Sequence, residues 1–190
     1  ADTAPVLAPP AAELAAAVRA RLGAAPYAVC HPGGGVRANW WPEERWRAIL
    51  QRWTATGVTV AVIGGPEERD RVGRIADGIS GARPLAGELT WPATAALLAG
   101  AAAFVGSDSG PLHLAAAYRR PLVALFGPDD PRRFAPHTPG AQYRYRGAVC
   151  SPCPQVGTRV AACTDNRCLT AITVDEVWSA VAALPAAPAR

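Results

Sequence analysis

Lysine is absent from the 190 residues, so all 19 basic side chains are arginines, and the formal charge of +4 against 15 acidic groups is carried by guanidinium alone. No basic block is long or interleaved with aromatics, which argues against a nucleic-acid partner and for a solvated arginine surface, with small anionic ligands left open. Also absent is any run of about 18 apolar residues, and the N-terminus lacks the basic, apolar and cleavage regions of a signal peptide. The chain therefore reads as soluble and cytoplasmic, with no transmembrane segment.

What is present is a sequence half hydrophobic, long enough for one sizeable core. Its 19 prolines and 18 glycines separate periodic apolar segments instead of forming a low-complexity tract, so the chain should fold. Residues 1–26 read as a tail followed by a short helix on Leu14, Val18 and Leu22, and residues 27–190 as the globular domain. Tyr27 to His31 is a strand running into Pro32-Gly33-Gly34-Gly35. Pro42, Glu43 and Glu44 open a helix with Trp46, Ile49, Leu50 and Trp53 on one face. Val58 to Ile63 is a buried strand closed by Gly64-Gly65-Pro66, and Val72, Ile75, Ala76 and Ile79 mark the next helix.

A weak strand near Leu85, a helix from about Thr90 to Gly100 and a strand through Phe104 and Val105 continue the alternation. Asp108-Ser109-Gly110-Pro111 opens a helix through Ala117, with Gly110 as cap if Pro111 is its first residue, and Leu122 to Phe126 is the last clear strand. Residues 129–171 show little periodicity. Thr173 and Glu176 form a capping box for a closing helix carrying Val174, Val177, Trp178 and Val181. Alternating strands and helices predict an α/β, doubly wound, Rossmann-like parallel sheet.

In such sheets ligands bind at the carboxyl ends of the strands, where the strand order reverses. The unusual residues gather there: His31 with Gly33-Gly34-Gly35, the Gly64-Gly65-Pro66-Glu67 loop, and Ser107 to His113. Glycine admits close backbone approach, and a helix N-terminus attracts anions through free N–H groups and its dipole. Singly, each feature is more often a turn, a cap or a structural histidine. Together on one rim they predict an anion-binding site fit for a diphosphate.

Five cysteines in a non-secreted chain point to metal binding, catalysis or burial before disulfides. Cys150 and Cys153 form a Cys-x-x-Cys pair, and Cys163 and Cys168 follow after a nine-residue gap as Cys-x4-Cys. That spacing predicts one structural zinc or iron in a finger at about residues 145–170, against two disulfides or four free thiols. Cys30 stands apart in a strand and is expected to be a buried thiol.

The segment Asp108 to Ala117, followed by Pro121 to Pro131 with its Leu-Phe-Gly-Pro-Asp-Asp-Pro ending, resembles the signature of glycosyltransferase family 9, which holds the heptosyltransferases. His31-Pro32-Gly33-Gly34 with Trp41-Pro42, Gly64 to Glu67, and Leu85-Ala86-Gly87 are similar to other family segments in order. The resemblance implies the C-terminal half of a GT-B fold, holding a nucleotide-diphosphate sugar, ADP-heptose within this family. The acceptor would be bound by an N-terminal half or partner not present here, leaving this half inactive alone. It further implies that Asp108, Ser109, Gly110 and His113 lie around the diphosphate and sugar. Gly33, Gly34 and Gly35 would lie opposite, Glu67 or Glu68 on the ribose, and Leu89 along the base. Some family members resemble this chain in having a four-cysteine iron-binding finger. One departure stands out: a basic residue is usual two before Trp-Pro, and here it is Asn39, leaving Arg37, Asn39 and His113 as candidate leaving-group stabilisers. The alternative is a nucleotide-binding or assembly module without transferase activity.

Overall fold

The central strands are apolar on both faces, and the two faces bury against different helices. In the computed structural model, which describes residues 7–153, 163 and 165–185, six strands form one parallel sheet: β1 (Tyr27–His31), β2 (Thr59–Val62), β3 (Ala82–Pro84), β4 (Phe104–Ser107), β5 (Leu122–Phe126) and β6 (Ala141–Tyr145). Their order is β3-β2-β1-β4-β5-β6, so the winding reverses between β1 and β4. Cys30 pairs with Val62 on one side and Val105 on the other.

Successive strand residues point to opposite faces. Ala28, Cys30, Val60, Val62, Val105, Val123 and Leu125 pack with helices α2 (Glu43–Thr54), α3 (Arg69–Ala76) and α8 (Val174–Ala182). Tyr27, Val29, Ala61, Phe104, Leu122, Ala124 and Phe126 pack with α1 (Ala12–Leu22), α4 (Trp91–Gly100) and α5 (Gly110–Ala117). This is the doubly wound α/β arrangement expected. Trp46, Ile49 and Leu50 on α2 are fully buried, each contributing roughly 1.5–3 kcal/mol relative to exposure. The Thr173–Glu176 capping box starts α8 as anticipated.

Several boundaries differ from expectation. Pro42 is the residue before α2, not its first. Helix α3 ends at Ala76, leaving Ile79 buried in the turn that follows. The stretch after Asp129 holds a short helix α6 (Pro131–Phe134), strand β6 and a short helix α7 (Arg167–Thr170). Strand β6 joins because Tyr143 and Tyr145 pack toward one face, with the Tyr143 ring edge-on to Phe126 at 5.9 Å. Gln142 and Arg144 turn the other way, to the carbonyls of Ala180 and Glu176. No helix among the described residues is long and apolar enough to cross a membrane.

Candidate functional site

A cleft of about 500 Å³ opens at the carboxyl ends of β1, β2 and β4, beside the reversal in strand order. The glycine loops after β1 and β2 form one side of it, through Gly34, Gly35, Gly64 and Gly65; the starts of α4 and α5 form the other, through Thr90, Trp91, Ser109 and Gly110. Ile63, Leu85 and Leu89 give it an apolar floor.

The two helix starts are not equivalent. Thr90 caps α4 by accepting from Ala93 N at 3.4 Å. Ser109 occupies the capping position of α5, yet its side chain makes no cap bond. Its hydroxyl instead donates to Ser107 O at 3.1 Å and lies within hydrogen-bond distance of His31 Nδ1, at 2.9 Å. The first N–H groups of a helix lack carbonyl partners within it, and with the cap diverted, α5 presents that positive end to the cleft. The helix begins at Gly110, one residue earlier than expected, so Ser109 is the cap position and Gly110 the first turn.

The opposite wall is fixed by Glu68, which is 6% exposed. Its carboxylate accepts from Gly34 N at 3.1 Å and Gly65 N at 2.8 Å, and stands 3.4 Å from His31 Nε2. Burial acts to raise the Glu68 pKa, but the bonds from His31, Gly65 and Gly34 outweigh it and hold the group below the usual carboxylate range. Glu67, one residue away, is exposed and lines the cleft. Of the two carboxylates weighed for the ribose, Glu68 is already occupied and Glu67 is free to reach a ligand. Arg71, buried at 5% exposure, braces the β1 loop by donating to Pro32 O and Trp41 O, and it stacks on Trp40 with 4.7 Å to the ring centre. Trp40 Nε1 in turn donates to Gly34 O at 3.0 Å.

Gly34, Gly35, Glu67, Leu89, Ser109 and Gly110 thus line one cleft. Gly33 lies behind Glu68 instead. Asp108, just before α5, and His113, within it, lie together, Nε2 to Oδ1 at 3.5 Å, and neither lines that cleft. Arg37 is exposed and lines a separate cleft with Trp40, Glu43 and Asn166. Asn39 is buried and donates to Asp129 Oδ2 at 3.5 Å. Burial and nearby Asp108 raise the Asp129 carboxyl above its usual range, against the Asn39 bond. Sequence reading missed Trp91, Arg71 and the clamp role of Glu68. Only Trp91 left a local signal, as a large apolar residue between a capping threonine and Pro92.

All five cysteines are free thiols, and Cys30 is fully buried. Burial pushes the Cys168 thiol up to about 11; a Leu169 backbone bond opposes this, and Cys153, Cys150 and Cys163 are each near enough to add to it. Cys153 N donates to Pro128 O at 2.7 Å, bringing its loop to the end of β5. Among the described residues, which include all four of these cysteines, no three His, Cys, Asp or Glu side chains are set to hold a metal ion. The expected finger also includes residues 154–162 and 164, which lie outside the described residues.

The sequence matches the model of glycosyltransferase family 9 (heptosyltransferase) over residues 2–162. Lipopolysaccharide heptosyltransferase 1 of Pseudomonas aeruginosa is 36% identical over 130 residues, which make up 68% of this chain and 36% of that protein. The fold is similar to that of ADP-heptose lps heptosyltransferase II from E. coli, with TM-score 0.75 and 23% identity, covering 91% of this chain and 51% of that one. It is also similar to the dodecameric iron-containing heptosyltransferase TibC in complex with ADP-D-beta-D-heptose, with TM-score 0.60 and 23% identity, covering 83% and 44% of the two chains. The chain thus spans about half the length of these structural neighbours.

Proposed function

The chain belongs to glycosyltransferase family 9, and we propose on that footing that it is the donor-binding half of a heptosyltransferase-like GT-B enzyme, holding a nucleotide-diphosphate sugar. The observation that carries this reading is the uncapped start of α5 facing the glycine loops across one cleft. The diphosphate lies on Ser109 and Gly110, where N–H groups and dipole attract an anion, with Gly34 and Gly35 opposite. Glu67 accepts from the ribose hydroxyls, and Leu89 lies along the base. ADP-heptose is the proposed donor, supported by the ADP-heptose bound in the TibC structure.

Asp108 and His113 flank the sugar end. With Arg37 turned to another cleft and Asn39 bonded to Asp129, stabilisation of the departing diphosphate falls to His113 and the α5 dipole. The acceptor and its general base belong to a half outside this sequence, so the chain binds donor but transfers little alone. Cys150, Cys153, Cys163 and Cys168 hold a structural zinc or iron. Their Cys-x-x-Cys and Cys-x4-Cys spacing and the iron of a structural neighbour support this. Four thiolates match the tetrahedral set that a structural zinc or a single iron takes.

A second reading, a nucleotide-binding or assembly module without turnover, is favoured by one observation: Asn39 brings no cation to the cleft and pairs with an acid instead. Calorimetry with ADP and ADP-heptose tests the shared donor site, and silence toward both in a folded chain would overturn it. Adding an acceptor-binding half separates the two readings, because only an enzyme then releases ADP in proportion to acceptor.

A further inference from the structure

Trp91 is 63% exposed at the first position of α4, although Trp41 and Trp46 are fully buried and Trp53 is 7% exposed. Helix α4 does not need an indole there. Its start is capped by Thr90, and its core contacts come from Ala96, Leu97 and Leu98. A single exposed apolar side chain is ordinary, but this indole shares one cleft with Ile63, Leu85 and Leu89, and such a shared apolar lining marks a ligand-binding groove.

Its position is set by what surrounds it. The indole edge lies against the first residue of α5, so close that a Cβ built at Gly110 would stand 3.1 Å from Trp91 Cη2. Gly110 is therefore bare on the side where the ring lies. Pro66, Leu85, Leu89 and Trp91 give the cleft apolar lining, and Gly34, Gly35, Ser109 and Gly110 give it backbone polar groups. A ligand that suits both kinds of lining carries a flat, apolar group and an anionic one.

We infer that Trp91 is the stacking platform for the nucleobase of the donor. The inference rests on the donor reading above and adds a residue that sets base affinity. The base lies on the indole face above Leu89, and the diphosphate then falls at the start of α5. An aromatic platform favours the larger purine ring over a pyrimidine, because stacking grows with shared ring area.

Calorimetric titration of the whole chain and its Trp91→Ala and Trp91→Phe variants with ADP, UDP and inorganic pyrophosphate tests the inference. Trp91→Ala should weaken ADP about tenfold, within the range stacking is worth when removed. It should weaken UDP less and leave pyrophosphate unchanged, while Trp91→Phe recovers most of the ADP affinity. Tryptophan emission should be quenched by ADP in the parent chain and not in Trp91→Phe. Because the side chain is mostly exposed, unchanged melting temperatures should accompany these effects. Undiminished ADP affinity in Trp91→Ala would overturn the inference alone and assign the indole to a protein contact. Equal loss of ADP and pyrophosphate would overturn it too, leaving the ring as a prop for α5. A parent chain that binds no nucleotide would instead overturn the donor reading, and this inference with it.

Discussion

The Glu68 carboxylate occupies the space that a side chain at Gly33 would need: a Cβ there would stand 1.5 Å from Glu68 Oε1. A Cβ at Gly64 would meet the same side chain at 3.0 Å. Gly33 and Gly64 thus stand against a buried carboxylate, and of the three glycines after β1, Gly34 and Gly35 line the cleft. Gly33→Ala should destabilise the chain by roughly 1–3 kcal/mol through overpacking, read from urea midpoints. In a Glu68→Ala background the cost should shrink, giving a coupling of about 0.5–3 kcal/mol in the double-mutant cycle. Additive effects would show that the loop moves freely away from Glu68.

Glu68 also sets an acid limit. Its folded pKa lies below the ordinary 4.5, so its contribution to stability is complete above that value and is lost as pH falls through the depressed folded one. Thermal melts from neutral to acid pH should show part of the acid destabilisation disappearing in Glu68→Gln. That variant should start less stable at neutral pH, since an amide cannot accept the same set of bonds. Identical pH slopes for the two proteins would refute the clamp.

At the sugar end the expectation is opposite in kind. The His113 side chain is half exposed and its partner Asp108 lies near a second acid, Asp129. His113→Ala should shift stability by no more than about 0.5 kcal/mol, as surface changes do, and Asp108→Ala, at a side chain 13% exposed, by about 1 kcal/mol. Both should weaken ADP-heptose binding several-fold. Lower melting temperature with unchanged affinity would mark them as structural.

The cysteines give an elemental prediction. Protein purified without chelator should carry close to one zinc or iron per chain, and Cys153→Ser should release it and loosen the segment around residues 145–170. In metal-bound protein Cys150, although exposed, should resist alkylation until a chelator is added. Cys30 should resist until the chain unfolds, because burial drives its thiol far above the usual range. Metal-free protein with freely alkylated Cys150 would end the metal reading without touching the donor site.

The sheet was legible in the sequence wherever burial was two-sided. Tyr27–His31 and Leu122–Phe126 are continuous apolar runs, and their limits came out as read. Strand β6 escaped because it is half-buried along its length, and its Tyr143–Tyr145 alternation is too short to stand out from a polar stretch. Gathering of glycines, Ser109 and Gly110 on one rim followed from topology alone. What did not follow was which groups were already engaged. The Gly34 bond to Glu68 and the Arg71 brace on Pro32 join residues more than thirty positions apart, and no local pattern carries such contacts. Arg37, two residues before Asn39 in the short turn Arg37–Asn39, lines the other cleft.

The central claim is that a nucleoside diphosphate binds between the glycine loops and the start of α5. A crystal structure of the chain with ADP tests it most directly. The account predicts diphosphate density within hydrogen-bond distance of the Ser109–Gly110 backbone, Glu67 on the ribose, and the adenine against Leu89 and Trp91. ADP seated instead in the cleft beside Arg37 and Trp40, or found nowhere at saturating concentration, would contradict it.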